Sequence, residues 1–205
     1  MALAFADRFI NAPGPASANE AAALATHFDA KKRTELALGL GLFHGFSKLL
    51  IGMGLEPEQM DTTVLPTPRF TTAVPDVDLS DRHAALLADH PDLAKRWANV
   101  WQTIATFDGG LDHGLIDACR ARIATLIGVD WASATEPALA NGTMVDPVLA
   151  DLAIEMSELF VIDIRAITAV HLDKLTALAG KASLTHLFIT MAMADGIYRV
   201  ARTMS

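Results

Sequence analysis

The sequence predicts an all-α protein, and three observations carry that prediction. Apolar residues recur at spacings of three and four through most of the chain, as in Leu93, Trp97, Trp101 and Ile104. Helix starts and stops punctuate these runs at plausible intervals, and no segment alternates apolar and polar residues as a half-buried strand does. Hydrophobic residues make up 52% of the chain but aromatics only 6%, so alanine and leucine supply much of the apolar content. That mixture suits packed helices better than a sheet sandwich.

The elements follow in order. A short helix is expected at Ala2–Ile10, then a Pro/Gly/Ser break at Asn11–Asn19 and a helix over Glu20–Phe28. Asp29 is an N-cap candidate for a long helix at about Ala30–Met53, which Gly54 ends and Pro57 follows. Residues Glu56–Asp81 hold Pro57, Pro66, Pro68 and Pro75 without helical period and read as a linker. Helical spacing resumes at Arg82–Ala88 and restarts at His90-Pro91, because proline is tolerated in a first turn. Gly109-Gly110 breaks that helix, and Asp112 can cap the next, which runs to Gly128. A short helix is read at Trp131–Ala140, stopped by Asn141-Gly142. Asp146-Pro147 pairs a cap with a first-turn proline for Val148–Phe160, and two more helices follow at about Arg165–Ala179 and Ala182–Met204.

An internal repeat also emerges. Shifting residues 3–54 by 151 positions lays them on 154–205 without a gap. Phe9 then meets Phe160, Leu24 meets Leu175, Thr34 meets Thr185, Leu36 meets Leu187 and Gly45 meets Gly196. His44 falls on Asp195, Lys48 on Arg199 and Glu35 on His186.

Charge and cysteine content narrow the setting. The formal charge is −8 and no basic run is long enough to track a phosphate backbone, so nucleic acid is not an expected partner. The single cysteine cannot form an internal disulfide and fits a reducing cytoplasm, and the first residues lack the pattern of a secretion signal. The longest apolar passage, Leu36–Gly54, contains His44, Ser47 and Lys48; a buried core helix is expected there, not a membrane span. No Gly-rich phosphate loop follows a strand and no histidines stand at metal-ligand spacing, so no cofactor or metal is expected.

The stretch Leu111–Glu136, with Arg120, Arg122, Ala124 and Leu126 on a helix ending at Gly128, then Val129-Asp130-Trp131-Ala132, resembles the carboxymuconolactone decarboxylase/AhpD-like family. The resemblance implies an all-helical bundle. Residues 82–205 resemble one whole family domain, and residues 1–63 only its closing part, including the run Leu42–Lys48 and Gly54–Pro57; residues 64–81 link them. In the family's peroxidase branch a glutamate precedes a Cys-x-x-Cys-x-x-x-His motif. Laid onto this chain, those positions hold Asp117, Val129, Ala132 and Glu136. Both sulfurs are absent, and valine and alanine can neither attack a peroxide nor resolve a sulfenic acid. The resemblance also implies oligomers, with a homodimer expected first and a trimer or hexamer second.

The candidate catalytic residues are Asp117, Glu136, His44 and Asp195. Two acids at the relay positions can split their pKa values into an acid and a base. Against this, Asp117 stands one turn from Arg120 and suits an exposed ion pair, while Glu136-Pro137 suits a solvated turn. His44 and Asp195 precede glycines in two long apolar helices, where a polar side chain needs a partner if buried. They suit either a general base with its orienter or a structural bond between helices. Lys48 and Arg199 read as interface or snorkelling cations. Cys119 lies on the stripe of Ile116, Ile123 and Leu126 and is expected in the core.

Three functions therefore stand open: a sulfur-independent acid–base enzyme on a small molecule, a non-catalytic ligand-binding or scaffold protein, and a one-cysteine peroxidase through Cys119.

Overall fold

The computed structural model describes residues 2–55, 86–130 and 145–204. Among them every regular element is helical: α1 (Ala2–Asn11), α2 (Ala18–His27), α3 (Ala30–Gly52), α4 (Pro91–Ala105), α5 (His113–Ile127), α6 (Pro147–Ile162), a 3-10 turn (Ile164–Ala166) and α7 (Ala169–Met204). The expected linker at 56–81, most of the Arg82–Ala88 helix and the Trp131–Ala140 helix lie outside the described residues.

The helix ends follow the local chemistry. Asp29, Asp112 and Asp146 each turn a carboxylate back onto backbone N–H groups at the starts of α3, α5 and α6. Gly128 closes α5 with φ 81, a left-handed conformation that L side chains rarely adopt. Two boundaries differ from the sequence reading. α2 starts before Glu20, because Ser17 and Glu20 form a reciprocal capping box with Ser17 Oγ accepting from the Glu20 N–H. The helix expected from Arg165 instead starts at Ala169, since Asp163 caps the 3-10 turn through the Arg165 N–H at 3.1 Å. α7 is broken at Gly180 (φ 85, ψ 166), between the two helices the periodicity predicts.

α7 is the centre of the fold. Every residue from Thr190 to Val200 is buried, Met191 and Met193 included, with α3, α5 and α6 packed around it. One hydrophobic cluster runs from Phe5, Phe9 and Leu24 through Leu38 to Cys119, Ile123, Met156, Phe160, Leu187 and Ile197. Trp97 and Trp101 stack at 6.1 Å on α4.

The tightest packing is between α3 and α7. A Cβ on Gly45 would fall 2.1 Å from the carbonyl oxygen of Ala192, and one on Gly41 would fall 2.8 Å from that of Gly196. Gly41 meets Gly196 while Gly45 meets Ala192, so the two helices run antiparallel where they cross. Only missing side chains allow backbones this close. The cost is helix propensity, about 1 kcal/mol for each glycine relative to alanine.

α3 departs from the expected core helix. By length and composition both α3 and α7 could cross a membrane, but only 28% of the most apolar window of α3 is buried, against 50% for α7. One face of α3, with Ala37, Leu38, Gly41 and Gly45, lies against α7. Its other face leaves Phe43 at 80% and Phe46 at 43% exposure.

The crossing makes opposite predictions for two glycines of one helix. Gly45→Ala should destabilise the protein by about 1–3 kcal/mol or more, because overpacking outweighs the gain in propensity. Gly39→Ala, where an added Cβ meets nothing within 4 Å, should instead stabilise it by about 1 kcal/mol. Chemical denaturation of the two variants beside the parent protein measures both signs.

Candidate functional site

Just beside the glycine crossing, α7 presents Asp195 with no solvent exposure. An unpaired carboxylate there would cost several kcal/mol. Three cationic or potentially cationic side chains meet it. Arg199 Nε donates to Oδ1 at 3.1 Å and to Oδ2 at 3.2 Å, one turn along the same helix. From α3, Lys48 Nζ lies 3.4 Å from Oδ2 and His44 Nε2 lies 3.2 Å from it. The His44 approach falls outside good hydrogen-bond geometry.

The cations are themselves anchored. Arg199 Nη1 donates to the carbonyls of Phe9 (3.3 Å) and Ile10 (2.8 Å), where unsatisfied acceptors end α1. Lys48 also reaches the Val161 carbonyl at 3.4 Å and sits 5.2 Å from the Phe160 ring centroid. The cluster thus ties α1, α3, α6 and α7 together. It replaces the expectation that Lys48 and Arg199 are interface or snorkelling cations.

Electrostatics decide what this group can do. Burial pushes the Asp195 carboxyl up, but His44, Lys48 and Arg199 together outweigh it and hold the group below its ordinary value. It stays ionised and is a weak base. Burial pulls the Lys48 ammonium down, partly opposed by Asp195, with Arg199 adding to the depression.

The other candidates are placed elsewhere. Asp117 accepts from Arg120 Nη1 at 2.7 Å on its own helix, with Arg120 4.4 Å from the Trp101 ring centroid. It makes the i,i+3 ion pair rather than joining Asp195. Glu136, like Trp131 and Ala132, lies outside the described residues. Cys119 is fully buried, and burial raises its thiol to about 11, against a smaller opposing effect of Ser157. At neutral pH only about one thiol in ten thousand would then be the nucleophilic thiolate.

His186 and Glu35 do not meet each other. Glu35 contacts His90 at 2.8 Å at the start of α4, while His186 Nε2 meets the Ile104 carbonyl at 2.9 Å at its end. Burial lowers the His186 pKa, opposed by the Ile104 carbonyl, so the ring is a neutral packing partner for Phe107. No group of three or more His, Cys, Asp or Glu side chains suited to a metal is present among the described residues.

A cavity of about 130 Å³ opens between α1, α2, α3 and the end of α7, lined by Phe5, Ala21, Leu24, Arg33, Leu36 and Thr203 among others. Sequence reasoning did not single out Arg33 or Thr203. Arg33 stood as one of three consecutive cations, Lys31-Lys32-Arg33, and nothing in that run marks which one turns inward.

Compared with family models, with curated proteins and with solved structures, the chain matches none of them.

Removing the Asp195 charge tests the cluster. Asp195→Asn leaves Lys48 and Arg199 without their counter-charge and should cost about 3–5 kcal/mol. The depressed carboxyl also sets a sign in acid. Its contribution is complete above the ordinary value of 3.8 and is lost as pH falls through the lower folded value. Denaturation midpoints across acid pH should therefore fall less steeply for Asp195→Asn than for the parent protein.

Proposed function

We propose that this chain is a carboxymuconolactone decarboxylase/AhpD-like protein that has lost the thiol peroxidase site and serves as a cytoplasmic, non-catalytic small-molecule-binding protein. The family reading rests on the helix and turn pattern of Leu111–Glu136 and on its relay positions, which hold Asp117, Val129, Ala132 and Glu136. The internal repeat is part of the same reading. A shift of 151 carries Gly41 onto Ala192 and Gly45 onto Gly196, so the two contacts of the glycine crossing exchange with each other. His44 and Asp195, also repeat mates, touch across that pseudo-symmetric crossing.

The observation that carries the non-catalytic reading is the saturated state of Asp195. A fully buried carboxylate that accepts from Arg199 and Lys48 and is held below its ordinary pKa is a poor base for a substrate proton. Asp117 is likewise committed to Arg120. Cys119 is sealed in the core with a raised pKa, which disfavours a one-cysteine peroxidase.

A sulfur-independent acid–base enzyme remains as a second reading, favoured by one observation. Burial pulls the Lys48 pKa down, and 12% of its side chain reaches solvent next to the Asp195 oxygen that His44 also approaches. Two measurements separate these readings. With an organic peroxide and a thiol reductant, the protein should show no turnover above a Cys119→Ala control; turnover abolished by that substitution would restore the peroxidase. An amine-directed acylating reagent followed by peptide mass spectrometry should label Lys48 more slowly than the exposed Lys31 and Lys32. Faster labelling of Lys48 would favour the acid–base enzyme.

Self-association belongs to the same proposal. Phe43 and Phe46 leave an apolar face of α3 uncovered in the single chain. A homodimer is expected first, with a trimer or hexamer second. Light scattering at micromolar concentration should give a multiple of the chain mass, reduced by Phe43→Glu. A monomer in the parent protein would reject it.

A further inference from the structure

The cavity at the end of α7 has a composition that selects a ligand. Phe5 from α1, Ala21 and Leu24 from α2 and Leu36 from α3 supply an apolar wall. Two polar residues interrupt it. Thr203 is 2% exposed, and its Oγ1 is shut off from solvent without a hydrogen-bond partner. Arg33 turns into the same wall, and its Nε is also shut off from solvent and unpartnered. A buried donor without an acceptor costs about 1–3 kcal/mol, more when charged, so the pair marks a place where an acceptor is missing.

Among the described residues no carboxylate supplies that acceptor. Glu20 is engaged by Arg8 at 3.3 Å and by the Ser17 N–H at 2.9 Å. Asp29 caps α3 through the Lys32 N–H, Glu35 pairs with His90, and Asp7 accepts from Asn11. Among the described residues Arg33 is therefore an unneutralised cation lining an apolar cavity, with the Thr203 hydroxyl in the same lining. Size sets the rest. A cavity of about 150 Å³ in another protein accepts benzene, so about 130 Å³ suits an apolar body of roughly that bulk.

We propose that this cavity is a binding site for a small monocarboxylate with a compact apolar body, its carboxylate held by Arg33 and Thr203 and its body against Phe5, Leu24 and Leu36. A planar guanidinium can bond both oxygens of a carboxylate, which a lysine cannot do in the same way. The hydroxyl of Thr203 adds a neutral donor on the buried side. This deepens the ligand-binding reading and rests on it.

Benzoate is the probe, with toluene as the same body lacking the charge. Binding to the full chain at neutral pH is read by ligand-observed NMR titration. The parent protein should bind benzoate saturably and at least tenfold more tightly than toluene. Arg33→Met keeps the length and apolar stem of the side chain and should weaken benzoate about 10–100-fold while leaving toluene unchanged. Thr203→Val, of the same shape, should weaken benzoate by a smaller factor. Ala21→Phe fills the cavity and should abolish binding of both, with circular dichroism confirming that the variant is folded. Absence of saturable benzoate binding in the parent protein would overturn the proposal. So would benzoate affinity unchanged by Arg33→Met, which would place the ligand at another site and leave the ligand-binding reading standing. Failure of the loss of peroxidase activity is read separately, by turnover dependent on Cys119.

Discussion

The close crossing of α3 and α7 is the constraint on which the described structure depends. Four small residues, Gly41 and Gly45 on one helix and Ala192 and Gly196 on the other, let two backbones approach until a single added Cβ would collide with a carbonyl. The same approach brings His44 and Lys48 within reach of Asp195. Each half needs the other. Without the small residues His44 and Lys48 would be held away from Asp195, leaving it only Arg199 on its own helix. Without the charges, dispersion alone would have to hold a contact in which glycines contribute almost no side-chain area.

That arrangement shapes the chemistry available. A buried carboxylate held by Arg199 and Lys48, with His44 against it, is stable as an anion and has little left to offer a substrate. The Cys119 thiol, in the same buried cluster as Leu115, Ile123 and Met156, is shut off from solvent, and burial raises its pKa. Asp195, Lys48 and Arg199 are therefore spent on holding helices together. Arg199 illustrates this: one side chain closes the carbonyl end of α1 and the Asp195 charge at once. Arg33 is different, because it lines an apolar cavity with its Nε unpartnered.

The amphipathic character of α3 follows from the same geometry. A helix that packs through glycines buries a narrow face, since the contact is backbone on backbone. The remaining circumference is still rich in leucine and phenylalanine, so Phe43 and Phe46 are left outside. A helix apolar on most sides is normally surrounded, and here one chain covers only one side of it.

The sequence by itself determined the helical class, most helix limits and several of the cap residues. These depend on residues within four positions of one another, as in Asp29 with Lys32, Asp112 with Leu115 and Gly128 at the end of α5. It also marked His44 and Asp195, because a polar residue in an apolar helical run must have a partner somewhere. Where the local signal had competitors it misled. Arg165 lies in a helix-like stretch, yet the Asp163 cap draws it into a 3-10 turn and delays α7 to Ala169. Only the tertiary structure decided that Lys48 and Arg199 turn inward to Asp195, that Asp117 stays on its own helix with Arg120, and that Arg33 rather than its neighbours lines a cavity. Each of those outcomes is set by which helix faces which at separations of up to 190 residues, as between Phe9 and Arg199. Periodicity along one helix carries no information about the side chain that will stand opposite it.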